Sequence, residues 1–282
     1  MRKTIIDHNT PNKLPRARKR FGQNFLVDKN CALKIIDLAS LQPSDTVLEI
    51  GPGQGAITRL IADKGCRVFA LEIDRDLSRF LREEFKDLDN VEIIEGDALK
   101  FDYAGLIEEG GDKLKVIANL PYNVATPILF RLLEMRASID TMILMFQKEV
   151  ASRIVSPPGC KSYGALSIFP QLYSDITIEL TLPPSVFKPS PKIDSQVLLF
   201  RLLDRPRFEV ADEKLLKGII STAFSQRRKK LSNTLKSFFP EREKLDESFC
   251  SVSIDPSRRA ETLSVEEFCK LSNIVSHLNT KC

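Results

Sequence analysis

Between Thr46 and Phe146, short apolar runs alternate with stretches of helical spacing, and this alternation constrains the fold more than any other feature of the chain. Val47 to Ile50, Arg67 to Leu71, Val91 to Ile94, Leu114 to Asn119 and Thr141 to Phe146 read as strands. Ala56 to Lys64, Asp76 to Lys86 and Thr126 to Met135 read as the helices between them. A helix joining successive strands returns the chain in the same direction. An α/β, Rossmann-like fold is therefore expected, with right-handed crossovers and a mostly parallel, doubly wound sheet.

On either side of this block the pattern changes. Asp28 reads as the cap of a helix running to Ser40. Ile176 to Leu180 and Gln196 to Leu202 alternate like two closing strands, the last antiparallel, with Pro183, Pro184, Pro189 and Pro191 stiffening the loop between them. Beyond Asp204-Arg-Pro-Arg207 the pattern is helical: Asp212 to Phe224, Gln226 to Phe238 and Val265 to His277. At 282 residues, two domains of about 150 residues each are the prior. The expected division is a basic arm at 1–20, an α/β domain at 21–205 and a small all-α domain at 206–282. The arm carries seven basic residues against one acid, Asp7, and reads either as a solubilising tail or as a contact for nucleic-acid phosphate. The segment Phe21-Gly-Gln-Asn-Phe-Leu26 is too aromatic for a tail and should dock on the core.

Composition excludes several classes of protein. No apolar run approaches the ~18 residues needed to span a bilayer, and the first residues lack a signal peptide's apolar core. A cytoplasmic protein is expected. Six cysteines include no Cys-x-x-Cys pair, and the two histidines, His8 and His277, lie near the ends. Reduced thiols and no metal centre follow from that usage.

The residues that carry chemistry stand at strand ends. Gly51-x-Gly53-x-Gly55 follows a strand and opens a helix, and glycines there let the backbone approach a ligand. Glu72 ends the next strand, about 20 residues on, where a ribose-binding acid belongs. Glycine loop plus acid indicate a cofactor containing adenosine, without choosing between NAD and S-adenosylmethionine. Three further features choose the second. Glu49 stands two residues before the first glycine, in an E-x-G-x-G-x-G pattern. Asp97 ends the third strand, placed to accept from an adenine amino group. Asn119-Leu120-Pro121-Tyr122 ends the fourth, supplying an amide oxygen, a backbone carbonyl and an aromatic ring. Two acceptors and a stacking face suit an exocyclic amine on a nucleobase, which hydride transfer does not need.

With these landmarks, Phe187-Lys-Pro-Ser-Pro-Lys-Ile-Asp194-Ser195 and Phe224-Ser-Gln-Arg-Arg-Lys-Lys230, the chain resembles the KsgA family of small-subunit (16S) ribosomal RNA adenine dimethyltransferases, from about Arg18 to about residue 275. The resemblance implies cofactor contacts from Asn24, Leu26, Gly51, Glu72, Asp97 and Asn119, to which the glycine loop adds Gly53. It also implies a base pocket including Tyr122 and Phe187. The implied reaction transfers methyl groups from S-adenosylmethionine to N6 of two adjacent adenines in a hairpin loop near the 3′ end of the rRNA. The implied partner is small-subunit rRNA in a pre-ribosomal particle, met by a monomer away from membranes. Asn119 and the Leu120 carbonyl would accept the amine hydrogens, and Tyr122 and Phe187 would sandwich the base. Arg227, Arg228, Lys229 and Lys230, expected at the basic end of a helix, are the candidates for RNA phosphate.

Overall fold

The computed structural model describes residues 15, 17–18, 21–106, 113–239 and 241–279. The basic arm expected at 1–20 lies outside the described residues except for Pro15, Ala17 and Arg18.

The chain opens with β1 (Phe25–Leu26) and α1 (Lys29–Leu38), then alternates β2 (Thr46–Ile50), α2 (Ala56–Ala62), β3 (Arg67–Glu72), α3 (Arg75–Glu84), β4 (Val91–Glu95), β5 (Leu114–Asn119), α4 (Ala125–Glu134) and β6 (Ile139–Gln147). Then come α5 (Lys148–Ile154), α6 (Ala165–Tyr173), β7 (Ser174–Leu182), β8 (Phe187–Lys188) and β9 (Ser195–Leu202). Helices α7 (Glu213–Ser225), α8 (Leu231–Thr234), α9 (Arg242–Ser251) and α10 (Val265–Asn279) close the described chain. Each strand and helix expected between Thr46 and Phe146 is present, with ends shifted by one or two residues. Carboxylates cap helices as the sequence signals: Asp28 accepts from Cys31 N at 2.8 Å and Asp212 from Leu215 N at 2.9 Å.

Among the described residues, seven strands hydrogen-bond in the order β4-β3-β2-β5-β6-β9-β7, and the pairings from β4 to β6 are parallel. Because β3 and β4 build outward on one side of β2 while β5 and β6 build on the other, the chain switches direction at the β2/β5 seam. Connections leave that seam on opposite faces, so a crevice opens beyond its carboxyl ends. Ile50 is in register with Ala118, which brings Gly51 and Asn119 to the crevice together. Val47, Leu48, Val68, Ala70, Val116 and Leu144 are shut off from solvent, as strands of a covered parallel sheet require.

By backbone contacts the chain forms two units, residues 1–146 with 180–197 and residues 147–179 with 198–282. This differs from a single cut near residue 205. In the second unit the Tyr163 ring packs edge-on to Phe224 at 6.1 Å, and Phe224 packs on Phe268 at 5.9 Å, so α5 and α6 group with the C-terminal helices. The helix expected over Gln226–Phe238 is broken. Helix α7 ends at Ser225, residues 226–229 turn, and α8 starts only at Leu231. The Arg227 guanidinium donates to the carbonyls of Lys161 at 2.9 Å and Tyr163 at 2.6 Å. Leu231 N and Ser232 N donate to the carbonyls of Arg258 and Pro256. Those tertiary bonds take donors that a continuous helix would have used. No helix among the described residues is long and apolar enough to cross a membrane.

A central and an edge strand of the sheet give a direct check. Leu48→Ala, at a site with no exposure, should cost about 2–5 kcal/mol in urea denaturation. Ile178→Ala on β7, where the side chain is 43% exposed, should change stability by less than about 0.5 kcal/mol. Equal effects at the two positions would contradict this placement of β2.

Candidate functional site

Beyond the carboxyl ends of β2, β3 and β5 lies a cleft of about 970 Å³, its open mouth included. Its lining brings Gly51, Gly53, Glu72 and Asp97 together with Asn24, Asn119, Leu120 and Tyr122. Residues from five separate stretches of sequence thus converge on one crevice.

The glycine loop is shaped by what stands against it. Gly53 has φ +58°, and a Cβ there would lie 2.8 Å from Phe25 Cδ1, so only glycine lets the β1 aromatic close on the loop. Gly51 N donates to Leu71 O at 2.9 Å, and Gly53 N donates to Glu72 Oε2 at 3.3 Å, which hold the loop to the end of β3.

Glu72 is buried, and its second oxygen accepts from Asp74 N at 2.9 Å. Those N–H groups favour the carboxylate, but burial outweighs them and pushes the carboxyl up to about 7. Glu49 is more enclosed still. Burial pushes it up to about 8 against the Thr58 hydroxyl, which donates to it at 2.6 Å, and the charge of Glu72 adds to the rise. Glu49 lines not the main cleft but a smaller adjoining hollow, shared with Leu26. Asp97 accepts from Leu99 N at 2.9 Å through Oδ1, which fixes the turn after β4 and directs the carboxylate at the cleft's edge.

On the opposite wall, Asn119 Nδ2 donates to Asn24 O at 2.9 Å. That bond commits the amide nitrogen and leaves Oδ1 as the atom able to accept from a ligand. Val124 N donates to Pro121 O at 3.0 Å, turning the chain so that Leu120 and Tyr122 follow Asn119 along the same wall. The Tyr122 hydroxyl lies 2.6 Å from Ser195 Oγ, at the first residue of β9.

Two expected residues are not brought to the cleft lining. Leu26 is buried in β1, facing Phe187 across the antiparallel β1–β8 pair, and Phe187 is itself buried. Four successive cations follow α7. All four side chains are exposed, but Arg227 spends its guanidinium on the carbonyls of Lys161 and Tyr163 within the second unit. Other participants have no signal in the local sequence. Arg18 pairs with Asp74 at 3.0 Å and also with Asp76, and Gln54 Nε2 donates to Pro15 O at 3.1 Å, so Pro15 and Arg18 are tied to the residues that follow β2 and β3. Ser195 reaches Tyr122 from a point far along the chain, and only the resemblance to a known motif marked its stretch. No group of three or more His, Cys, Asp or Glu is placed to hold a metal among the described residues.

Comparisons with known proteins bear on this arrangement. A family model described as ribosomal RNA adenine dimethylase matches residues 15–277. A Geobacter metallireducens protein named ribosomal RNA small subunit methyltransferase A is 45% identical over 269 residues, covering 94% of this chain and 98% of its own. A protein of the same name from Clostridium botulinum is 44% identical over 257 residues, covering 91% and 93%. Among solved structures, a dimethyladenosine transferase from Plasmodium falciparum superposes with a TM-score of 0.76 at 24% identity, covering 91% and 98%, a likeness of fold.

The carboxyl pair predicts a pH dependence. Both carboxyls are raised above their ordinary value of about 4.5, so the folded protein keeps protons that the unfolded chain has lost. Their stabilising contribution is whole below about 4.5 and is lost as pH rises through about 7 and 8. Urea denaturation across that range should show stability falling with pH, and Glu49→Gln should flatten the fall. An unchanged slope in the variant would mean that Glu49 is ionised throughout.

Proposed function

The chain belongs to the ribosomal RNA adenine dimethylase family, and from that premise we propose that it transfers methyl groups from S-adenosylmethionine to N6 of adenine in small-subunit rRNA. The proposed targets are two adjacent adenines in a hairpin loop near the 3′ end, converted to N6,N6-dimethyladenines in a cytoplasmic pre-ribosomal particle by a monomer. The observation that carries this reading is the pinned amide of Asn119 beside Leu120 and Tyr122, in the same cleft as Glu72 and the glycine loop.

The residues fit the cofactor. Gly53 keeps the cradle free of a Cβ, Glu72 offers a buried acceptor for ribose hydroxyls, and Asp97 offers one for the adenine amine. Asn24, Gly51 and Asn119 complete the lining, with Leu26 packed behind. Bound there, S-adenosylmethionine supplies a methyl group already activated on a sulfonium, so the protein's task is orientation and electrostatics.

The target nitrogen is a poor nucleophile because its lone pair is shared with the ring. Asn119 Oδ1 and the Leu120 carbonyl accept its two hydrogens, which favours a pyramidal nitrogen with its lone pair released. The base leaves its stack at a cost of a few kcal/mol, offset by stacking on Tyr122. Phe187 can cover the other face only if its buried ring is freed, so Tyr122 is assigned the first stacking contact. In the second unit we assign phosphate contact to Arg228, Lys229 and Lys230, and place the RNA-facing surface within residues 206–282.

The reading is tested by incubating the protein with labelled S-adenosylmethionine and small ribosomal subunits whose target adenines are unmethylated, then digesting the RNA to nucleosides. Label should appear in N6,N6-dimethyladenosine, and its absence would refute the proposal. Under saturating cofactor, Asn119→Ala should lower kcat by roughly 10–100-fold, the effect of losing about 1.5–3 kcal/mol in the transition state. RNA affinity should hold.

A second outcome concerns the cations. Neutralising Arg228, Lys229 and Lys230 should weaken RNA binding and flatten its salt dependence without lowering the melting temperature. Arg227→Gln should instead lower the melting temperature, because its carbonyl partners lose their donor. An unaltered salt slope in the triple variant would make that run a solvated surface.

A further inference from the structure

We propose that Ser195 is a positioning residue for the base site: its hydroxyl holds the far end of the Tyr122 ring, so that the ring's face is set toward the target adenine. The proposal rests on the reading of Tyr122 as the stacking residue. It goes further by assigning what orients that ring.

A tyrosine side chain turns about two soft torsions, and an aromatic lining a cleft has little packing on its open side to stop it. Tyr122 is only part-buried, on the cleft wall. What fixes it is the polar tip. The Tyr122 hydroxyl and Ser195 Oγ are 2.6 Å apart, at the short end for an O–H···O bond. Burial pushes the Tyr122 phenol above its ordinary value, so it stays neutral and can donate.

The anchor itself cannot drift. Ser195 has no solvent exposure and begins β9. Its neighbour Gln196 donates to Thr181 Oγ1 at 3.3 Å. The loop before it is tied as well: Val27 N donates to Val186 O at 2.9 Å, Leu26 faces Phe187, and Ser190 Oγ donates to Pro184 O at 2.8 Å. The hydroxyl bond thus relates the ring on the β5 side of the cleft to the strand that follows the Phe187 loop. Asn119 is held in the same manner, by the Asn24 carbonyl. Both base-facing side chains are therefore steered by partners distant in sequence, neither of them through its own turn. Ser195 does not line the cleft, so it acts on rate through the ring and leaves the cofactor contacts alone.

The test is a double-mutant cycle in the full-length protein, with labelled S-adenosylmethionine and small ribosomal subunits, both saturating. Ser195→Ala and Tyr122→Phe remove the same bond from its two ends. Each should lower kcat by about tenfold, and the double variant should be no slower than either alone. Calorimetric affinity for S-adenosylmethionine should be unchanged in all three. Wild-type rate in Ser195→Ala, or losses that multiply to about a hundredfold in the double variant, would overturn the proposal. If Ser195→Ala fails to fold, Tyr122→Phe alone decides, since it keeps the ring and deletes only the hydroxyl. Tyr122→Ala separates the two levels of inference. A wild-type rate there removes the stacking role and the positioning role together. A slow Tyr122→Ala beside a fast Ser195→Ala removes only the role of Ser195.

Discussion

Everything the cleft does depends on β2 being gripped by parallel neighbours on both sides. Val47 and Leu48 have no contact with solvent, and the strand pairs in register with β3 on one edge and β5 on the other. Connections leave those neighbours on opposite faces of the sheet, so nothing crosses the carboxyl end of the seam. The glycine loop, Glu72 and Asn119 are then delivered to one crevice by strand register alone, without a dedicated scaffold.

Within that crevice, polar groups are few and almost all are held. Glu72 receives two backbone N–H groups, Asp97 one, and Asn119 gives its nitrogen to a carbonyl. Each such bond uses one side of a functional group and thereby points the other side at the ligand space. Preorganisation of this kind means that little reorganisation is needed when charge or hydrogen-bonding demand develops during reaction. Glu49 has a different part. Enclosed beside the Thr58 hydroxyl, with its carboxyl raised to about 8 by burial, it stands behind the glycine loop and outside the main cleft.

The basic run after α7 shows how charge count and charge use diverge. Four adjacent cations look equivalent in the sequence and all four are exposed, yet Arg227 ties its guanidinium to two backbone carbonyls. A guanidinium planar enough to bridge two carbonyls does work that a lysine ammonium would do poorly. Residues 226–238 are not one helix because Leu231 N and Ser232 N donate to the carbonyls of Arg258 and Pro256.

The α/β alternation, the order of the strand ends and the residues standing near them are legible in the order of amino acids alone. Strand and helix periods are local, and residues at or just beyond the carboxyl ends of the central parallel strands stand at the crevice, whereas Glu95 at the end of β4 pairs with Arg75 outside its lining. Gly51, Gly53, Glu72, Asp97, Asn119, Leu120 and Tyr122 were legible for that reason. Pairings between residues far apart in the chain were set by packing in three dimensions. These are Asn119 with Asn24, Tyr122 with Ser195, Arg18 with Asp74, β1 with β8, and the grouping of α5 and α6 with the C-terminal helices. A hydroxyl or a carbonyl carries no mark of its partner, because which one it meets is set by the packing of elements that periodicity does not order. Phe187 is the clearest case: its motif placed it with the base, and the β1–β8 pairing buried it outside the cleft lining.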